Sequence, residues 1–103
     1  MSKPPLTEKV FTQMVIDLVH YLGWMAYHTH DSRHSEPGFP DLCMVKDGRI
    51  VFAELKTETG KSTPHQEHWL KELSKCNAEV YLWRPSDWED IAATLATNKN
   101  RGE

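Results

Sequence analysis

The segment PDLCMVKDGRIVFAELK, residues 40–56, decides the fold. Two apolar runs, Pro40–Lys46 and Arg49–Lys56, flank Asp47-Gly48, the dipeptide that suits a two-residue hairpin because both central residues must take positive φ. The second run carries Ile50, Val51, Phe52 and Ala53 without alternation, the pattern of a central strand covered on both faces. Glu54 and Lys56 then share one face, about 7 Å apart along the strand. A carboxylate and an ammonium at the end of a buried strand cost several kcal/mol each unless they are paired or bind something. Asp41 and Glu54 stand equally far from the turn, so antiparallel pairing sets them opposite one another. Two carboxylates and a lysine meeting at one point suit a hard divalent cation such as Mg²⁺, completed by water and substrate phosphate. The competing reading is a solvated ion pair worth about 0–1 kcal/mol.

Working outward, Thr7 can cap a helix whose Val10, Phe11, Met14, Val15, Leu18, Val19 and Leu22 recur at helical spacing, with Gly23 as its stop. Trp24–His30 reads as a short aromatic strand, and residues 31–39 as a polar loop. Thr63-Pro64-His65-Gln66 is a capping box with proline at the first helical position. It opens a helix to about Cys76, with Trp69, Leu70 and Leu73 inward. Glu79–Trp83 is a further strand, and Ser86-Asp87-Trp88-Glu89 a second capping box before a final helix with Ile91, Ala92 and Leu95. The expected order is α-β-β-β-α-β-α, a mixed sheet with helices on both faces and its last strand parallel to a neighbour.

At 103 residues, one domain is expected over 1–103, with its core at about 7–95 and loose ends. Apolar residues at 39% and charged ones at 26% argue against disorder. A mean hydropathy of -0.61 and the lack of any long apolar run argue against a membrane partner. No basic-then-apolar leader is visible, and Cys43 and Cys76 cannot build a disulfide framework, so a reducing, cytoplasmic home is expected. The net charge of -3 provides no bulk basic footprint for nucleic acid. DNA binding would need basic residues sorted onto one face, or carboxylates neutralised by cations.

The chain resembles the PD-(D/E)xK nuclease superfamily, and most closely its VRR-NUC branch. The matching segments are Thr7-Glu8, SEPGFPDLCMV (35–45), GRIVFAELKTETGKSTPHQEHWL (48–70) and AEVYLWRPSDWEDI (78–91), which together reach from residue 7 to about 95. The resemblance implies a restriction-endonuclease-like αβββαβ core of the α/β class, with one extra C-terminal helix. It implies a Mg²⁺- or Mn²⁺-dependent DNA endonuclease with metal on Asp41, Glu54 and the backbone carbonyl of Leu55. Lys56 would then orient the attacking water and steady the phosphate, with Glu8 and Gln66 in support. Stand-alone members of this size resemble viral or bacterial homodimers that act on branched DNA such as four-way junctions. The cell would be bacterial or phage-infected. The alternative is a non-catalytic DNA- or protein-binding module on the same fold.

Other residues carry bland readings beside functional ones. Glu8 suits the helix dipole, and Gln66 suits its capping box. His28, His30 and His34 could ligate Zn²⁺ or Cu²⁺, or could contact substrate beside the loop. Arg33, Lys61, Arg84 and Lys46 are the expected DNA phosphate contacts, with solubility as their competing explanation. His65 and His68 read as surface, and Tyr81, Trp83 and Trp88 as core rather than base-stacking platforms. No glycine-rich phosphate loop is present, so no nucleotide cofactor is expected.

Overall fold

A computed structural model describes residues 6–29 and 35–97. The elements are α1 (Glu8–Tyr21), β1 (Met25–His28), β2 (Leu42–Lys46), β3 (Arg49–Leu55), α2 (Pro64–Leu73), β4 (Glu79–Trp83), a 3₁₀ turn (Pro85–Asp87) and α3 (Trp88–Ala96). The sheet runs β1-β2-β3-β4. Its first two pairings are antiparallel, and β3–β4 is parallel across α2. This is the mixed α/β sheet flanked by helices that the periodicity implies.

Asp47 and Gly48 have φ of 50° and 80°, the left-handed pair a tight hairpin needs. The register Leu42↔Ala53 through Lys46↔Arg49 follows from that turn. Successive side chains alternate faces, so Val51, Ala53 and Leu55 join Leu42 and Met44 in a core with Phe11, Val15 and Val19 of α1 and Ile91 and Leu95 of α3. Val10 faces outward at 47% exposure, because the buried α1 stripe is Phe11, Val15 and Val19.

The opposite face is covered more thinly. No residue of α2 is fully buried; Trp69, Leu70 and Leu73 are half-buried, while Met25, Tyr27 and Val45 stay exposed. The helix also stops at Leu73, and Cys76 lies exposed in the turn that follows. The second capping box sits two residues early: the Arg84 N–H donates to Asp87 Oδ2 at 2.9 Å, and α3 starts at Trp88 without a side-chain cap.

A clasp closes the hairpin end of the sheet. The buried Arg49 donates from Nε and Nη2 to the two oxygens of Glu79, both at 2.7 Å, and from Nη1 to Thr97 O at 2.6 Å. Its guanidinium carbon lies 4.9 Å from the centre of the Trp24 ring, whose Nε1 donates to Leu95 O at 2.9 Å. Arg49 thus joins β3, β4, the start of β1 and the end of α3. Arg49→Ala leaves the Glu79 carboxylate without its fork. It should cost about 3 kcal/mol, or roughly 15 °C in Tm. Thermal melts check this, and Glu79→Gln added to Arg49→Ala should recover part of the loss.

Candidate active site

The other end of the sheet gathers the sequence's acidic candidates. Asp41 lies just before β2, where the extended register sets it opposite Glu54. Its Oδ2 accepts the Leu55 N–H at 2.8 Å, so the carboxylate is held by the strand it faces. Pro40, fully buried, anchors the approach.

Glu54 is only 2% exposed. Its Oε2 accepts from Gln66 Nε2 at 2.7 Å and lies 3.5 Å from Lys56 Nζ. Its Oε1 is buried and has no hydrogen-bond partner. Burial first, then repulsion from Asp41, pushes the Glu54 carboxyl up to about 7 from its ordinary 4.5, against the pull of Lys56. A solvent-starved carboxylate with one bare oxygen beside a second carboxylate is a donor set for a cation.

Gln66 does both things its position allows. Its Oε1 accepts the Thr63 N–H at 2.9 Å, closing the capping box, while its Nε2 holds Glu54. The amide orientation is assigned by these two neighbours, one a donor and one an acceptor. Lys56 is mostly buried, with 12% of its side chain exposed. Its backbone N–H donates to Trp83 O at 3.0 Å, extending the ladder to β4.

The remaining expected residues fall elsewhere. α1 ends against the hairpin, where Lys46 Nζ donates to Leu22 O at 2.6 Å, and Glu8, in its first turn, is exposed. Lys46 itself is not near the site, contrary to the sequence expectation. It sits at the far end of β2, about 17 Å from Asp41 at the rise of a strand, and donates to the carbonyl of Leu22, the C-cap of α1. Arg84 Nη1 donates to the carbonyls of Thr57 and Gly60 at 2.6 and 2.7 Å, tying down the loop after β3. Lys61 is exposed on that loop. His30, Arg33 and His34 lie outside the described residues. Among the described residues, no three His, Cys, Asp or Glu side chains cluster as a metal site; two of the three histidines of the His28, His30 and His34 set lie outside them.

Sequence reasoning missed the aromatic wall beside the site. Phe39 meets Trp69 edge-on at 5.1 Å and Phe52 at 5.8 Å. Trp69 Nε1 donates to Pro37 O at 3.0 Å. Gly38, at φ 96°, is pressed against the α2 backbone; a Cβ there would lie 2.5 Å from the His65 carbonyl carbon. The Pro37-Gly38 turn is the signal that could have found it, since glycine there allows close backbone approach.

An αβββαβ core with carboxylates on adjacent strand ends, a lysine one step on and a glutamine from the next helix defines a nuclease-type α/β fold. The chain belongs to the VRR-NUC domain family, which it matches over residues 8–87. Two solved VRR-NUC domain proteins share the fold at TM-score 0.67. One is 16% identical over 89% of this chain and 87% of its own; the other is 24% identical over 85% and 92%. Hjc of Archaeoglobus fulgidus, a Holliday junction resolvase from an archaeal hyperthermophile, matches at TM-score 0.52 and 17% identity over 75% of this chain and 67% of its own. A comparison with curated proteins finds no match.

Two outcomes follow from this geometry. The folded protein holds the Glu54 proton more tightly than the unfolded chain does. The contribution of Glu54 to the stability of the metal-free protein is therefore fully present below the ordinary carboxyl value of 4.5 and is lost as pH rises through about 7. Glu54→Gln should accordingly melt higher than wild type at pH 8, by roughly 2–3 kcal/mol, with the gain shrinking as pH falls to 4.5; paired melts across pH measure it. Gly38→Ala should separate the 35–40 loop from α2 and lower Tm, while a glycine-to-alanine change at exposed Gly48, also at positive φ but facing solvent, should cost only about 1 kcal/mol.

Proposed function

We propose that this chain is a divalent-metal-dependent DNA endonuclease, acting as a homodimer on branched DNA such as four-way junctions. The buried Glu54 Oε1, without a hydrogen-bond partner among the described residues and on a carboxylate that Asp41 repels, is the observation that carries the reading. Asp41, Glu54 and the Leu55 carbonyl would hold the metal. A bound Mg²⁺ or Mn²⁺ ion would supply Lewis acidity to the scissile phosphate and neutralise its developing charge.

The chain's own groups do the rest. The Leu55 N–H fixes Asp41 by its Oδ2, leaving the other oxygen for the cation. Gln66 holds Glu54 by Oε2, which directs Oε1 to the same purpose. Lys56, drawn to Glu54 and largely buried, orients the water for in-line attack and steadies the phosphate. The break leaves a 5′-phosphate and a 3′-hydroxyl, and Glu8 supports the site from the first turn of α1. Lys61 and Arg33 contact flanking phosphates, and Arg84 does so through the loop it ties. A junction substrate is suggested by the shared fold with Hjc, itself a resolvase of such junctions. One site cuts one strand, so paired symmetric cuts require two chains about a twofold axis. With a net charge of -3, linear duplex is held weakly and with steep salt dependence.

The purified protein should cut four-way junctions in Mg²⁺ or Mn²⁺ at least tenfold faster than linear duplex. Asp41→Asn, Glu54→Gln and Lys56→Ala should each lose at least a hundredfold in rate while still folding, and chelator should abolish cutting. Light scattering should report a dimer at micromolar concentration. Junction binding without any metal-dependent cleavage would instead support a non-catalytic module.

A further inference from the structure

A cavity of about 620 Å³ opens beside the metal site and shares Asp41 and Gln66 with it. That volume lies in the range of small-molecule and nucleoside sites. Its other walls include Tyr27, His28, Glu36, Phe39 and Trp69. No described lining residue is Lys or Arg, and Glu36 and Asp41 are both acidic.

The aromatic lining favours a flat, uncharged group. Tyr27, on edge strand β1, leaves 66% of its surface exposed, and Phe39 leaves 38%. Phe39 is braced edge-on by Trp69 and Phe52, and Gly38 clamps its loop to α2. The rings are therefore presented on a fixed frame rather than on a free loop, which keeps the ordering cost of binding low. Thr29 and Ser35 also line the cavity, and their hydroxyls can pair with the edge of a base. A base inside a duplex has both faces stacked and cannot enter such a cavity; an unpaired one can.

We propose that this cavity receives an unpaired nucleobase of the strand being cut, stacked on Tyr27 next to the scissile phosphate. The proposal rests on the nuclease reading above and deepens it: the substrate class is DNA with an unstacked nucleotide beside the cut. Preference for branch points then comes from the base cavity of each chain, independently of how two chains pair.

The test uses the full-length protein and a forked oligonucleotide carrying 2-aminopurine at the unpaired position beside the branch. Ca²⁺ replaces Mg²⁺ during binding. Wild type should quench the fluorescence on binding, as stacking on a ring does. Tyr27→Ala should abolish the quench and weaken fork binding about tenfold, leaving fully paired duplex binding unchanged; Tyr27→Phe should restore both. Melting curves identify any variant that fails to fold, and Tyr27→Leu, which keeps apolar bulk without the ring, provides the second test. Metal-dependent cleavage without a quench, or equal loss of fork and duplex binding in Tyr27→Ala, would overturn the base cavity and leave the nuclease reading standing. Quenching that needs Tyr27, with no cleavage under any metal, would support the cavity and overturn the nuclease reading. Failure to bind the fork at all would overturn the base cavity.

Discussion

A carboxylate kept out of water is the constraint on which this molecule turns. Glu54 is the penultimate residue of β3, and its side chain is only 2% exposed. Everything around it either tolerates that charge or makes use of it. Asp41 raises the cost of ionisation, Lys56 lowers it, and Gln66 engages one oxygen. The other oxygen has no hydrogen-bond partner among the described residues. A fold evolved only for stability would place an apolar residue here, since well-packed hydrophobic groups commonly match or exceed buried ions in stability.

The two ends of the sheet divide the labour. At the hairpin end, Arg49, Glu79, Trp24 and Thr97 satisfy one another's bonding needs, and Lys46 closes α1. At the opposite end, loops leave β3 and enter β2, and among the described residues Glu54 Oε1 is left without a hydrogen-bond partner. The loop after β3 is itself secured by Arg84, and by Glu58, whose carboxylate accepts the Ser86 N–H. Rigidity is therefore concentrated away from the site and carried to it by β3, the strand paired on both sides.

Coverage is equally uneven between the faces. α1 and α3 seal one face into a dry core. α2 shields the other only in part, yet it is the helix that delivers Gln66 and Trp69. A helix loaded with site residues on its inward surface has fewer positions left for packing, which accounts for its lack of fully buried side chains.

Much of this was legible in the chain itself. Asp47-Gly48 determined the hairpin, and the hairpin determined that Asp41 faces Glu54, because pairing from a two-residue turn leaves no freedom of register. Thr63 and Gln66 declared the start of α2, since capping is a local matter of side chain and backbone. Thr7 did the same for α1. Long-range partners were not legible. Lys46, by its type and place in the chain, could as well have been a phosphate contact; only the fold sets it against Leu22 O. Arg49 gave no sign that it would be buried, because its partners Glu79, Thr97 and Trp24 come from distant segments. The double duty of Gln66 required α2 to lie against β3, and the wall of Phe39, Phe52 and Trp69 required three separate elements to meet. Sequence alone determined the local periodicities and turns, which short-range sterics and hydrogen bonding dictate. Tertiary structure decided which charges are deprived of water and what touches them, because desolvation depends on everything that packs around a group.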